Sequence, residues 1–61
     1  MLPKGSKLYS KYTKGTYVKL EESEWSWWAL EDDNLEVDKQ MQVRMTDENA
    51  RQGYITYELV N

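Results

Sequence analysis

The chain has 61 residues, 31% of them charged, and a net charge of -3, which indicates one small domain with little material for a hydrophobic core. It contains no cysteine and no histidine, so disulfides, thiolate chemistry and the commonest metal ligand and general base are excluded. No apolar run approaches the roughly 20 residues that span a bilayer, and residues 1–5 lack the hydrophobic block of a signal peptide. We therefore expect a cytoplasmic protein with no membrane contact.

The charges are distributed unevenly along the chain. Residues 1–20 contain five lysines and no acid (+5), whereas residues 21–61 contain eleven acids and three basic residues (-8). Two interpretations stay open, namely two halves that attract each other across a solvated surface, or a lysine-lined edge for phosphate or an acidic partner. The lysines that could contact phosphate are Lys7, Lys11, Lys14 and Lys19.

The chain reads as a single domain of short strands. Residues 1–6 are expected to form a loose lead-in, because Pro3 and Gly5 oppose regular structure. Runs of aromatic and β-branched residues, separated by polar turns, then predict five strands. We expect these strands near residues 7–12, 16–22, 25–31, 40–46 and 53–60, with residues 46–53 forming a loop that could hold one helical turn.

The stretch Trp25-Ser26-Trp27-Trp28-Ala29-Leu30 contains all three tryptophans of the chain. Side chains of a strand alternate between its two faces, so Trp28 and Leu30 share one face while Trp25, Trp27 and Ala29 share the other. We expect Trp28 to be buried and Trp25 or Trp27 to be substantially exposed. Large exposed aromatic side chains usually mark a contact surface.

The flanking strands show a similar alternation. In the second strand we expect Val18 and Leu20 to face the core and Tyr17 and Lys19 to face solvent. From residue 35 onward, apolar side chains occupy odd positions and polar ones occupy even positions, with a bend or bulge at residues 38–39. Curling five such strands into a small SH3-like or OB-like barrel would bury one apolar set. The predicted core consists of Val18, Leu20, Trp28, Leu30, Val43, Met45, Ile55 and Leu59.

Four fragments resemble a eukaryotic-type SH3 domain in the family's order. They are Leu8–Tyr12 for the opening ALYDY strand, Lys14–Leu20 for the second strand, Trp27-Trp28-Ala29 for the tryptophan pair, and Gly53-Tyr54-Ile55 for the closing motif. The resemblance implies an SH3-like barrel. It does not imply binding of proline-rich peptides, because the long loop after the first strand is missing and Thr56 and Leu59 stand where the groove's proline and tyrosine would fall. A second stretch, Trp28 to Arg44, resembles the OB-fold tail of NfeD-type membrane-associated proteins, and no function is transferred from it.

No catalytic group, cofactor or metal site is predicted. The acidic run at residues 31–34 is expected to be a solvated turn, because it lacks the spaced pattern of a calcium loop. The aromatic side chains exceed what one small core can hold, and two interpretations of this excess stay open: cross-strand packing or a shallow platform for a partner. The predicted platform consists of Trp25, Trp27, Tyr9, Tyr17 and Tyr54.

The platform predicts a non-enzymatic module that binds a protein. The alternative is single-stranded nucleic acid, whose bases would stack on the same rings while the N-terminal lysines contact phosphates. A sequence pI of about 4.8 disfavours that alternative. Small acidic β proteins without catalytic groups are also common among phage and mobile-element regulators and inhibitors, which is a third class of function.

Overall fold

A computed structural model describes residues 1–11, 13–52 and 57–59 of the chain. It contains five strands and one short helix. In chain order they are β1 (Lys7–Ser10), β2 (Gly15–Lys19), β3 (Trp25–Glu31), β4 (Val37–Thr46), α1 (Asp47–Gln52) and β5 (Tyr57–Leu59). The predicted third strand matches β3, and α1 falls within the loop that was expected to hold a helical turn. Most of the predicted last strand lies outside the described residues.

The strands form one antiparallel sheet in the order β4-β3-β2-β1-β5. In the described part of the chain β4 pairs only with β3 and β5 only with β1, so the sheet is open and is not the closed barrel that the sequence predicted. Closure is not needed to bury the inner face, because the N-terminal segment and α1 pack on it. These two elements add Leu2 and Ala50 to the core.

The inner face is organised around Trp28, whose side chain is fully buried. Residues directly opposite each other in an antiparallel pair point to the same face, and Val43 is opposite Trp28. The buried cluster consists of Leu2, Leu8, Tyr17, Trp28, Met45 and Ala50, with Leu30 and Val43 packed against it. The inward orientation of Trp28, Leu30, Val43 and Met45 is therefore confirmed, whereas Ile55 and the side chain of Leu59 lie outside the described residues.

The faces of β2 are the reverse of those predicted. Tyr17 and Lys19 are buried, while Val18 and Leu20 are only partly buried. The register explains the reversal, because Lys19 lies opposite Trp28 and must share its inner face. Hydropathy alone assigned Lys19 to solvent, but its ammonium group forms a buried ion pair with Asp47 at 2.7 Å.

The first six residues are packed against the sheet although they form no regular secondary structure. Leu2 and Ser6 are buried. The Gly5 N–H donates to the Lys19 carbonyl at 2.9 Å, and the Lys19 N–H donates to the Ser6 carbonyl at 2.9 Å. Gly5 and Ser6 thus continue the pairing of β1 with β2 as far as Lys19, the last residue of β2, in contrast to the loose lead-in expected from Pro3 and Gly5.

The predicted irregularity at residues 38–39 is present as a bulge in β4. Leu30 pairs with Asp38 and its neighbour Ala29 pairs with Gln42, so residues 39–41 have no partner on β3. A shift by an odd number of residues exchanges the two faces of a strand. The odd-numbered apolar residues of β4 consequently divide between the faces, with Val37 opposite Glu31 on one face and Val43 opposite Trp28 on the other. The bulge thus divides the run into a short arm and the segment that carries the inward-facing Val43 and Met45.

Candidate functional site

The outer face of β3 presents two tryptophans. Trp25 is 50% exposed and Trp27 is partly buried, whereas Trp28, on the inner face of the same strand, is fully buried. The alternation of strand side chains thus divides the three indoles as predicted. Ala29 belongs to the same outer face, but it is fully buried because it is small and lies between its neighbours Val18 and Gln42 in the sheet.

Arg44 of β4 completes this surface. It lies directly opposite Trp27, and its guanidinium carbon is 5.5 Å from the centroid of the Trp25 ring and 5.6 Å from that of the Trp27 ring. A guanidinium over an indole face is attracted by the ring quadrupole, worth about 0.5–1 kcal/mol at an exposed site. We refer to Trp25, Trp27 and Arg44 as the Trp–Arg cluster.

Arg44 is not among the site residues predicted from the sequence, and the bulge explains why. The β3–β4 hairpin begins with Glu31 opposite Val37 and Leu30 opposite Asp38. If that register continued, Trp27 would lie opposite Met41. The three unpaired residues 39–41 shift the register, so that Trp27 meets Arg44 instead. The polar character of Arg44, after the predicted bend, was a usable signal that it faces solvent. The size of the register shift, which decides that it faces Trp27, could not be read from the sequence.

The predicted tyrosines do not join the cluster. Tyr17 is 6% exposed and belongs to the core, so its assignment to the binding surface is wrong. The register of β1 with β2 explains this position, since Tyr17 lies opposite the buried Leu8. Tyr9 is partly buried on β1, two strands away from β3 or roughly 10 Å, and Tyr54 lies outside the described residues.

The four predicted phosphate contacts are also divided. Lys19 is buried and cannot reach a ligand, which contradicts its assignment. Lys7 forms an ion pair with Glu31 at 2.8 Å. Lys11 and Lys14 are exposed in and beside the turn between β1 and β2, and Lys14 adopts a positive φ of 55°. The lysines therefore do not line one continuous edge.

A cleft of about 390 Å³ lies beside α1. It is lined by Met1, Glu24, Asp47, Glu48, Arg51 and Gln52. It includes none of the predicted site residues, and both carboxylate oxygens of Asp47 already accept hydrogen bonds from Lys19 or Leu2. Within the described ranges, no group of three acidic side chains is arranged to hold a metal ion, and no helix is long and apolar enough to cross a membrane.

Comparison with known protein families, curated proteins and solved structures finds no match to this chain. What the site can do is therefore argued from its own geometry. The Trp–Arg cluster offers two indole faces and one cation on the side of the sheet opposite the core, a combination of groups suited to contacting another molecule.

Proposed function

We propose that this chain is a non-enzymatic protein-binding module whose contact surface is the Trp–Arg cluster. The observation that carries the proposal is the position of Trp25, which leaves half of a large indole in solvent on the face opposite the core. Tryptophan and arginine are among the residues that contribute most to protein–protein interfaces, since each combines a large contact area with a polar group. The Trp–Arg cluster contains both of these residue types, with the Arg44 guanidinium over the two indole rings.

The surroundings of the cluster support this proposal. Leu20, the residue that follows β2, donates its N–H to the Trp27 carbonyl at 2.9 Å, so it lies beside Trp27, and its side chain is only partly buried. Trp25, Trp27 and Leu20 thus provide apolar area next to one cation. The buried cluster on the inner face, as far as the structure describes it, includes none of these three side chains. Their apolar surface is therefore not used by that cluster.

The nucleic-acid alternative is weaker for a structural reason. It needs a basic track beside the aromatic rings. One of the four lysines proposed for that track is buried and another is paired with Glu31. The SH3-like fold and a role as a phage or mobile-element inhibitor stay predictions. The order β4-β3-β2-β1-β5, in which the last strand pairs with the first, is compatible with a partly opened SH3-like sheet.

The test is a pull-down from the source cells with two matched double variants. Trp25→Ser/Trp27→Ser removes the indoles of the cluster. Leu35→Ser/Met41→Ser removes two other exposed apolar side chains, 72% and 50% exposed, at the far end of the β3–β4 hairpin. Both variants should keep the circular dichroism spectrum of the native sheet. The proposal requires a protein that the native chain and the Leu35/Met41 variant capture and that the tryptophan variant does not.

The opposite result has two forms. If the captured protein still binds the folded tryptophan variant, the contact surface lies elsewhere. If a single-stranded oligonucleotide shifts the amide resonances of Lys11, Lys14 and the indoles, and these shifts weaken steeply between low and high salt, the nucleic-acid alternative replaces the proposal.

A further inference from the structure

Arg44 is an exposed cation on the outer face of the sheet. The chain has eleven acidic residues against eight basic ones, yet no described carboxylate lies within ion-pair distance of Arg44. Lys7 and Lys19, in contrast, each pair with a carboxylate at 2.8 Å or less. The guanidinium of Arg44 is oriented by two indoles instead, and its planar fork of N–H donors matches the geometry of a carboxylate.

The backbone of Arg44 faces the open edge of the sheet. The Asp47 N–H donates to the Glu24 carbonyl at 3.1 Å, which continues the register in which Thr46 lies opposite Trp25. The backbone groups of successive residues in an antiparallel strand point alternately to its two sides. Because the backbone of Asp47 points to β3, the odd-numbered residues before it in β4 also form their backbone hydrogen bonds with β3. The N–H and C=O of Arg44 therefore point away from β3. No strand in the described part of the chain pairs with β4 on that side.

We infer that the Trp–Arg cluster recognises an extended protein segment that pairs with the open edge of β4 and places one acidic side chain opposite Arg44. This inference rests on the proposed function and specifies the chemistry of the partner. A strand added to a sheet edge gains main-chain hydrogen bonds, and its side chains give the specificity. The residue that pairs with Arg44 projects to the same face as Arg44, where the guanidinium is available.

One acidic side chain fits better than several. The protein has a net charge of -3, and Glu24 directly precedes Trp25 of the cluster. A polyanion, whether an acidic run or a nucleic acid, would be repelled by this surrounding charge, whereas a single carboxylate meets the local cation. The neighbours of that acidic residue project to the inner face beside Val43 and Met45, so small apolar side chains suit those positions.

These requirements define a probe. The capped peptide Ser-Thr-Val-Glu-Val-Thr-Ser has one carboxylate flanked by apolar residues, and its counterpart with Gln in place of Glu differs only in charge. In an NMR titration of the full chain we expect the Glu peptide to shift the amides of Arg44 and Thr46 and the indole N–H signals of Trp25 and Trp27. The Gln peptide should bind at least about tenfold more weakly, because hydrogen bonds to a charged group are the stronger ones.

Two further peptides and one variant sharpen the test. Methylation of the Glu backbone nitrogen removes the hydrogen bond to the Arg44 carbonyl and should abolish the shifts. Arg44→Glu should reject the Glu peptide and accept a Lys peptide of otherwise identical sequence. The inference is overturned if the Glu peptide causes no shifts, if the Gln or N-methyl peptide binds equally well, or if the reversed charge pair fails to restore binding in the folded variant.

The outcome is separable from that of the proposed function. Suppose that capture of a partner depends on Trp25 and Trp27, but that Arg44→Gln captures it as well as the native chain does. The proposed binding function would then stand, and the inference of an acidic segment opposite Arg44 would be refuted. A partner whose capture depends on none of the three side chains would refute both.

Discussion

Lys19 and Asp47 are 28 residues apart in sequence and form an ion pair in which both side chains are nearly inaccessible, at 0% and 6% exposure. Lys19 ends β2 and Asp47 begins α1, so the pair joins the sheet to the helix. The same two side chains also hold the N-terminal segment. Lys19 Nζ donates to the Leu2 carbonyl, and the Leu2 N–H donates to Asp47 Oδ2 at 2.7 Å. Three separate parts of the chain are thus tied together at one buried polar contact.

Lys19→Met should destabilise the domain severely. Removing one partner of a buried ion pair leaves the other charge uncompensated, which costs about 3–5 kcal/mol. Asp47 would also lose the group that orients it toward the Leu2 N–H. Because small domains have only about 5–15 kcal/mol of stability in total, the variant should unfold at a much lower urea concentration than the native chain.

The controls for this prediction are a second ion pair and a double variant. Glu31→Gln removes the carboxylate that Lys7 contacts at 2.8 Å. The Lys7 side chain is 35% exposed and that of Glu31 10%, so this pair is less buried than the Lys19 pair and its loss should cost less, about 1 kcal/mol. Lys19→Met/Asp47→Leu removes both buried charges and should be more stable than Lys19→Met alone. Equal urea midpoints for Lys19→Met and Glu31→Gln would show that burial of the Lys19 pair has no energetic consequence.

The three tryptophans should differ sharply in their contribution to stability. Trp28→Ala deletes the largest fully buried side chain and should cost about 3–5 kcal/mol. Trp25→Ala and Trp27→Ala remove side chains from the outer face and should leave the domain folded. Thermal unfolding followed by circular dichroism measures the first effect. Acrylamide quenching in variants with a single tryptophan checks the faces, and equal quenching of all three indoles would contradict the assignment.

The sequence predicted the strands better than their faces. Alternation identified the inward side chains of β3 correctly, since Trp28 is buried in the core and Leu30 packs against it. It failed in β2, where Lys19 looks like a solvent residue. The burial of Lys19 is tolerable because Asp47 supplies the opposite charge. Asp47 is distant in sequence, and only the folded structure reveals that it lies close to Lys19.

The candidate site was predicted in part for a similar reason. Trp25 and Trp27 follow from the period of a single strand, whereas Arg44 depends on the register between two strands. That register contains the unpaired residues 39–41, and neither their number nor the resulting exchange of faces is encoded in a local pattern. Whether the sheet closes into a barrel likewise depends on which other elements cover the core. Here the N-terminal segment and α1 cover it, and the sheet stays open.

Leu35→Asn should stabilise the domain. Leu35 is 72% exposed and adopts a positive φ of 62°, a conformation that costs a residue with a bulky side chain about 1–2 kcal/mol and that Asn tolerates better. The turn itself is held by Asp32, whose Oδ1 accepts the N–H groups of Asn34 at 2.8 Å and Glu36 at 2.9 Å. The substitution leaves those bonds in place, so we expect a rise in melting temperature. Leu35→Ala, which keeps the strain, should not show that rise.

Arg44→Gln should separate binding from stability. The arginine makes two cation–π contacts, each worth about 0.5–1 kcal/mol at an exposed site, so its loss should lower the free energy of unfolding by no more than about 2 kcal/mol. In a double-mutant cycle with Trp27→Leu, the coupling energy should be favourable and of the size of one such contact, because Arg44 contacts the Trp27 ring directly. Urea unfolding of the native chain, the two single variants and the double variant gives this energy. Over the same series, affinity for the acidic peptide should fall by about tenfold or more in every variant that lacks Arg44. A large loss of stability in Arg44→Gln, together with unchanged affinity, would instead make Arg44 a structural residue of the sheet.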